Sequence, residues 1–268
     1  KAQYKLGNCY YYGEGVDEDD LEAVKWYEKA VANGNYEAED NLSECYNRIG
    51  DNYYDGQGDY EQDSEEAVKW YQKAAELGYG VNEDILSECY NEIGDSYYDG
   101  QGDYEQDSEE AVEWYQQAVN LGDLNAQYSL GHCYHVGDGV DKDNLEAIKR
   151  FEKVLSASED DISKFDYDLA VIKDELSECY EEVADDFYFG NNGQEKDYQK
   201  AFEWYQKAAD LNNTAAFYSL GWCFSHKQGV EEDYDEAFTW YEKAADLGYS
   251  EAQYELGNCY YNGHGTER

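Results

Sequence analysis

The sequence predicts an all-α fold, a solenoid of helix-turn-helix repeats with about thirteen helices in 268 residues. Three observations predict it. Trp-Tyr pairs recur along the chain at intervals of 36 to 54 residues, with Phe151 standing in for one missing pair. Seven cysteines recur at intervals of 36 to 46. The chain also contains no proline, the residue that breaks helix interiors. A helical pair of this size cannot bury its apolar face alone, so neighbouring units must stack.

The first helix of each unit follows the pattern A-x-x-x-L-G-x-C-Y-x-x-G, as in residues 2–13. Apolar or small residues recur at i, i+4, i+7 and i+8, the spacing of one helix face. A glycine inside a helix costs about 1 kcal/mol relative to alanine. We expect close approach of a neighbouring helix backbone to offset that cost. The glycines concerned are Gly7, Gly50, Gly94, Gly131, Gly221 and Gly257.

The second helix follows a short turn (Gly13, Gly15, Val16 in the first unit) and reads A-x-x-W-Y-x-K-A. It begins with an aspartate followed three residues later by glutamate, the pattern of an N-cap and its N3 partner. These aspartates are Asp19, Asp63, Asp107, Asp143 and Asp233. It ends before a glycine suited to the left-handed conformation. These glycines are Gly34, Gly78, Gly122 and Gly248.

The Trp-Tyr pair of the second helix is predicted to be a buried anchor between units. On this interpretation Trp70→Ala removes a large buried aromatic and costs about 3–5 kcal/mol.

Three departures from the pattern are local. Segments 36–55 and 80–99 carry an earlier L-S-E-C-Y, which predicts first helices about two turns longer. Residues 156–190 predict a still longer first helix, in which Ala184 replaces the glycine. The turn at Ser225–Gly229 lacks the first glycine. These departures change loops and curvature and leave the repeat class unchanged.

Residues 2–34 and 216–248 match the signature of the Sel-1-like repeat almost residue for residue. The chain resembles this family, a branch of the tetratricopeptide superfamily, over its whole length. The resemblance implies a right-handed superhelix with first helices on its concave side and second helices on its convex side. Residues 1–268 then form one solenoid, with units at about 1–34, 35–78, 79–122, 123–157, 158–212, 213–248 and a half repeat at 249–268.

The charge excludes two classes of partner. Asp and Glu number 63 against 19 Lys and Arg, giving a net charge of −44. Phosphate binding needs clustered Lys and Arg, so no nucleic-acid partner is expected, and an anionic membrane surface is equally disfavoured. No apolar run reaches the length of a membrane-spanning helix, so no membrane insertion is expected.

The cysteines occur once per unit at equivalent positions. Equivalent helices in adjacent repeats lie about 8–10 Å apart, while a disulfide needs Cα atoms within about 7 Å. Regular intramolecular disulfides are therefore not expected. Buried thiols are the favoured interpretation, with an intermolecular disulfide or a metal cluster as the alternatives.

No cofactor is expected, although two groups of side chains suit metal ions. Acidic turns offer the hard oxygens that calcium prefers, which leaves weak divalent binding open beside a simply solvated acidic face. His132 and His135 stand at i, i+3, which fits either a metal pair lacking a third ligand or a polar helix surface. The acids are Asp55, Asp59, Glu61, Asp63, Glu65 and Glu66, repeated as Asp99, Asp103, Glu105, Asp107, Glu109 and Glu110.

Tyrosine is abundant beyond the needs of a core, with 31 in the chain. Exposed phenols on one side would suit peptide, glycan or self contacts, and repeat-wide packing is the alternative. The candidate interaction residues are Tyr11, Tyr12, Tyr54, Tyr98 and Tyr261. Asn41 and Asn212 begin N-x-[ST] sequons, which permit glycosylation in a secretory context. Extracellular, secretory and cytoplasmic locations all stay open.

Packing, capping and turns account for every repeated residue, so no catalytic constellation is left and no enzyme is expected. The leading hypothesis is an interaction scaffold that holds a protein or peptide on its concave face, as the resemblance implies. The alternative is a structural protein that assembles head to tail into a filament, possibly extracellular and glycosylated. Its basis is that residues 2–13 and 252–263 agree at 10 of 12 positions and neither resembles a capping repeat. An excerpt of a longer array is the other interpretation of the same two ends.

Overall fold

The structure is a computed structural model that describes residues 1–78, 80–101, 104–163 and 165–265. These residues contain fourteen α-helices and no strand, which confirms the all-α prediction and corrects the helix number of thirteen. The first seven helices are α1 (Ala2–Tyr12), α2 (Asp20–Ala32), α3 (Glu37–Asp55), α4 (Ser64–Glu76), α5 (Glu83–Asp99), α6 (Ser108–Leu121) and α7 (Leu124–Val136). The others are α8 (Asn144–Leu155), α9 (Glu159–Ile162), α10 (Leu169–Phe189), α11 (Tyr198–Asp210), α12 (Thr214–His226), α13 (Tyr234–Asp246) and α14 (Ser250–Asn262).

The additional helix is the single turn α9, and it corrects the prediction of one long helix over residues 156–190. Side-chain caps start two helices there instead of one. The Ser158 hydroxyl accepts the N–H of Asp161 at the start of α9, and the Asp168 carboxylate accepts the N–H of Ala170 at the start of α10. Between them, the ring of Tyr167 packs 4.4 Å from that of Tyr128. A tertiary contact therefore fixes the break.

The predicted lengthening of particular first helices is confirmed. Helices α3, α5 and α10 have 19, 17 and 21 residues, whereas α1 has 11 and α12 has 13. At 3.6 residues per turn the difference is roughly one to three turns.

The predicted N-caps are also confirmed, since each of the five aspartates accepts the backbone N–H of the glutamate three residues later. Asp197 caps α11 in the same way, although Lys200 occupies the N3 position. The N3 glutamate binds forward along its helix: Glu22 accepts the indole N–H of Trp26 at 3.1 Å. The glycines that follow the second helices have φ between 77° and 97°, as predicted.

The turn without its first glycine keeps the same backbone shape. Lys227 takes the left-handed conformation, with φ 55°, where Gly13 and Gly263 stand after α1 and α14. A lysine there carries the strain that a glycine avoids.

The chain divides into two compact units, Lys1–Ala126 and Gln127–Arg268, and each is described separately. In the first unit, α1 to α6 pack in sequence, first helix against second. In the second unit, α10 packs against α8 and α11, and α11 to α14 again pack in sequence. The right-handed superhelical sense, and the assignment of residues 1–268 to a single solenoid, stay predictions.

The Trp-Tyr pairs behave differently from the expectation that both rings are buried. Tyr27, Tyr71 and Tyr241 are fully buried, but the tryptophans beside them are only half-buried. Trp70 lies between the ring of Tyr46, at 5.7 Å, and the ammonium of Lys73, at 3.8 Å. The tyrosine is thus the buried anchor, and the tryptophan packs at the edge of the core against the preceding first helix.

The glycines inside the first helices are explained by those same rings, which corrects the expectation of a close helix backbone. A Cβ built on Gly50 would lie 2.7 Å from the Tyr71 ring, and one on Gly221 would lie 2.6 Å from the Tyr241 ring. Gly7, Gly94 and Gly131 meet the rings of Tyr27, Tyr115 and Phe151 in the same way. Gly257 differs, because nothing lies within 4 Å of its built Cβ.

Candidate functional site

Three surface positions recur on the first helices. They lie three residues before, one residue after and four residues after the helical glycine, whose place Ala184 takes in α10. These positions share one side of an α-helix. We call this surface the first-helix face. In the first unit its residues on α3 and α5 are Asn47, Asp51, Tyr54, Asn91, Asp95 and Tyr98. In the second unit its residues on α10, α12 and α14 are Glu181, Asp185, Tyr188, Tyr218, Trp222, Ser225, Tyr254, Asn258 and Tyr261.

A carboxylate directly after the glycine links this face to the core. The buried Tyr71 hydroxyl donates to Asp51 at 2.6 Å, and Tyr115 donates to Asp95 at 2.8 Å. Tyr205 donates to Asp185 in the second unit. Burial raises the pKa of Asp95 to about 6, although the Tyr115 bond opposes the rise. Sequence reasoning missed these aspartates; the signal was the acid that follows the glycine in I-G-D.

The tyrosines that were predicted to form an interaction surface fall into two groups. Tyr12 and Tyr261 are 58% and 84% exposed, but Tyr11 is buried beneath the guanidinium of Arg48, 4.0 Å from its ring. Tyr54 is half-buried and donates to Glu88 of the next first helix at 3.0 Å. Tyr98, at the equivalent position of α5, is also half-buried. Tyr11 and Tyr54 therefore serve the packing of the first unit, which was the alternative interpretation.

In the second unit, rings and carboxylates meet on the first-helix face. The Tyr218 ring lies 5.3 Å from Tyr249 and 6.3 Å from Trp222, whose indole N–H donates to the Tyr188 hydroxyl at 2.9 Å. Burial raises the pKa of Glu181 to about 7, and the charges of neighbouring acids, Asp185 first, raise it further.

The two histidines of α7 face the acids of α10 and not each other. His132 lies 3.0 Å from a carboxylate oxygen of Glu175, which raises the pKa of the imidazole. His135 is buried, with its Nδ1 3.2 Å from the sulfur of Cys179. Across the described residues, no three His, Cys, Asp or Glu side chains are arranged to hold a metal ion.

The expectation of buried thiols is confirmed at six cysteines, and Cys9 is half-buried. Burial raises the pKa of Cys45 and Cys223 to about 12. A thiol in that state is a poor nucleophile at neutral pH. In the acidic turns, Asp63 caps α4 and Asp55 accepts the side-chain amide of Gln57 at 2.8 Å. Asp103 lies outside the described residues.

The two sequons differ in accessibility. Asn212 is exposed in the turn between α11 and α12, with φ 65°. Asn41 lies inside α3, where its amide donates to the buried Tyr27 hydroxyl at 3.3 Å. An oligosaccharide transferase could reach Asn212 in the folded chain far more readily than Asn41.

A polar pocket of about 490 Å³ lies in the second unit between the turns that follow α7 and α10. Its polar groups bind one another and nearby acids. Lys142 pairs with Glu182 at 2.6 Å, and the Asn192 amide donates to Asp186 at 2.9 Å. None of the helices in the described ranges combines the length and the apolar character needed to cross a bilayer.

The Sel1 repeat model matches seven segments, at residues 1–35, 43–79, 87–123, 124–153, 177–213, 215–249 and 250–268. A Sel1 repeat protein of known structure from Oxalobacter formigenes is 28% identical, over 98% of this chain and 91% of that one, with a TM-score of 0.43. The protective antigen c5321 of uropathogenic Escherichia coli, which displays an SLR fold, is 25% identical, over 100% of this chain and 73% of that one, with a TM-score of 0.33. Cysteine rich protein B of Helicobacter pylori is 24% identical, over 55% of this chain and 94% of that one, with a TM-score of 0.29. No curated protein matches the chain.

Sel1 repeat proteins have a TPR-like architecture, generally mediate protein–protein interactions and are typically non-catalytic. The seven matched segments carry the assignment of this chain to the family. Because those segments span most of the sequence, the chain belongs to the Sel1 repeat family.

Proposed function

We propose that this chain is a non-enzymatic scaffold that holds a protein or peptide partner on its first-helix face, without a cofactor. The observation that carries the proposal is the contrast between this face and the rest of each unit. The thiols and the anchor tyrosines are buried, while the first-helix face keeps polar and aromatic side chains partly accessible at repeated positions. We expect this face to line the concave side of the superhelix, where an elongated partner would meet several repeats together.

Site-specific photo-crosslinking tests this proposal. A photoreactive amino acid replaces Tyr54 or Tyr254 on the first-helix face, or Glu113 or Glu242, which are exposed on the second helices α6 and α13. We expect a discrete partner to crosslink from the first two positions and not from the other two. Equal crosslinking from all four positions, or crosslinking from the second helices alone, would contradict the proposal.

A second candidate function is end-to-end self-assembly into a filament, either extracellular and glycosylated or not. Its support is the open surface of α14, where Tyr254 and Tyr261 are 69% and 84% exposed and Gly257 has space above it. The equivalent Gly221 meets the Tyr241 ring, so a ring from a second copy would fit over Gly257. Negative-stain images of concentrated protein check this idea: filaments are expected, and Gly257→Trp should reduce them to discrete particles. Discrete particles at every concentration would exclude it.

A further inference from the structure

In the second unit, part of the first-helix face and the neighbouring residues at the start of α14 combine half-buried aromatic rings with acids that lack a basic partner. We call this surface the acid–tyrosine face. Glu181 and Asp185 come from α10, and Glu251 and Glu255 come from α14. Among the residues that the structure describes, no lysine or arginine nitrogen lies within 4.0 Å of these four carboxylates. Elsewhere in the unit, carboxylates do have such partners: Glu146 binds both Lys149 and Arg150.

The rings lie between the two sets of acids. Tyr218 contacts Tyr249 at 5.3 Å and Tyr241 at 5.8 Å. Burial raises the pKa of Tyr249, and the charges of Glu251, Glu181 and Asp185 raise it further, so acids from both helices act on one ring. Aromatic faces attract cations, and they do so more strongly where water is partly excluded.

The basic residues of this unit lie on other surfaces. Helices α12 and α14 contain no lysine or arginine, and α10 contains one, Lys173. Lys207 of α11 and Lys243 of α13 cover the tryptophans of their own helices, at 3.9 Å from the Trp204 ring and 3.8 Å from the Trp240 ring. Lys200, the other lysine of α11, lies 5.0 Å from the Phe187 ring. The acid–tyrosine face therefore presents uncompensated negative charge beside rings, whereas lysines on the second helices neutralise part of the negative charge there.

We infer that the acid–tyrosine face, formed by Glu181, Asp185, Tyr218, Tyr249, Glu251 and Glu255, binds a segment of a partner protein rich in lysine or arginine. The cationic side chains lie over the tyrosine rings, and the carboxylates at either edge take up their charge. Complementary charge directs the association and selects against acidic partners. This inference rests on the proposed function, because it names the chemistry of the partner that the scaffold holds.

The test measures binding of fluorescein-labelled peptides to the full chain by anisotropy at pH 8, above the pKa of about 7 of Glu181. Three ten-residue peptides alternate glycine with arginine, glutamine or glutamate. We expect binding of the arginine peptide alone, weakening as salt is added. The triple variant Glu181→Gln, Glu251→Gln, Glu255→Gln should raise Kd by about tenfold, the order expected for three partly exposed charge pairs.

A matched control separates this face from the general negative charge of the chain. The variant Glu203→Gln, Glu242→Gln, Asp246→Asn removes the same charge from exposed positions on α11 and α13. It should change Kd by less than about twofold. Tyr249→Leu should weaken the arginine peptide again without changing net charge, and a melting curve confirms that each variant is folded. Equal weakening by both triple variants, or no binding of the arginine peptide, overturns the inference. Crosslinking of a partner to the face then decides separately whether the scaffold proposal stands.

Discussion

The contact between a helical glycine and a buried tyrosine ring is the residue-level feature that recurs throughout the molecule. Tyr71 lies so close to Gly50 that a Cβ could not be added without moving the ring. The glycine therefore permits the burial of an aromatic side chain, and that burial contributes far more than the helix propensity that glycine loses.

Gly50→Ala tests this contact. We expect a loss of roughly 1–3 kcal/mol in the free energy of unfolding, because the ring has to shift within a packed core. The matched control is Gly257→Ala, which meets open space and should stabilise the chain by up to about 1 kcal/mol through helix propensity. Urea denaturation measures both. Similar shifts for the two variants would show that the ring contact is unimportant.

The Trp-Tyr pair gives a second comparison. Tyr71 is fully buried, so Tyr71→Ala should cost about 3–5 kcal/mol. Trp70 is half-buried, so Trp70→Ala should cost clearly less than the value predicted from the sequence. Thermal melts of the two single variants show which substitution destabilises the chain more. A larger loss of stability for the tryptophan variant would contradict the structure.

Glu181 predicts how stability changes with pH. Its folded pKa of about 7 exceeds the ordinary glutamate value, so the folded chain binds more protons than the unfolded one in this range. Stability should fall as pH rises from about 4.5 to about 7. The raised pKa of His132 acts in the same direction, because its stabilising contact with Glu175 is lost as pH rises through the folded pKa.

Glu181→Gln should therefore raise the free energy of unfolding at pH 8 by about 1 kcal/mol, after allowance for solvent screening. The melting temperature at pH 8 should rise with it, and its pH dependence should become flatter. Glu242→Gln is the control, since that glutamate is exposed on α13. If both variants respond alike to pH, the burial of Glu181 does not determine the effect.

At the scale of elements, caps and turns define where each helix begins and ends. The turn after α12 is the exception, because Lys227 adopts a conformation that favours glycine. Its ion pair with Glu231, at 3.2 Å between two exposed groups, contributes little in return.

Lys227→Gly should stabilise the chain by about 1 kcal/mol, because relief of the left-handed strain exceeds the loss of a surface ion pair. Lys227→Ala removes the ion pair but keeps the strain, so it should not stabilise. Calorimetry of both variants measures their melting temperatures and shows whether the glycine variant is the more stable of the two. A destabilised glycine variant would mean that the lysine side chain has a further role.

At the scale of the whole molecule, the net charge of −44 dominates. Repulsion between like charges destabilises a compact chain, and salt screens it over about 10 Å at 0.1 M. The melting temperature should therefore rise as sodium chloride is increased from about 20 to 500 mM. The rise should shrink at pH 4.5, where many carboxylates are protonated. A melting temperature independent of salt would show that repulsion does not limit stability.

The sequence by itself determined every helix except the single turn α9, together with the aspartate caps and the repeat class, because these depend on local spacing and on side chains that bind their own backbone. Asp63 and Gly78 could be placed from the residues around them. Tertiary structure alone decided which ring of each Trp-Tyr pair is buried, why Gly50 is required, and that Tyr11 packs beneath Arg48 while Tyr12 stays exposed. Each of those outcomes depends on which side chains of the neighbouring helix come into contact. The periodicity of one helix carries no information about the distance between its side chains and those of another helix.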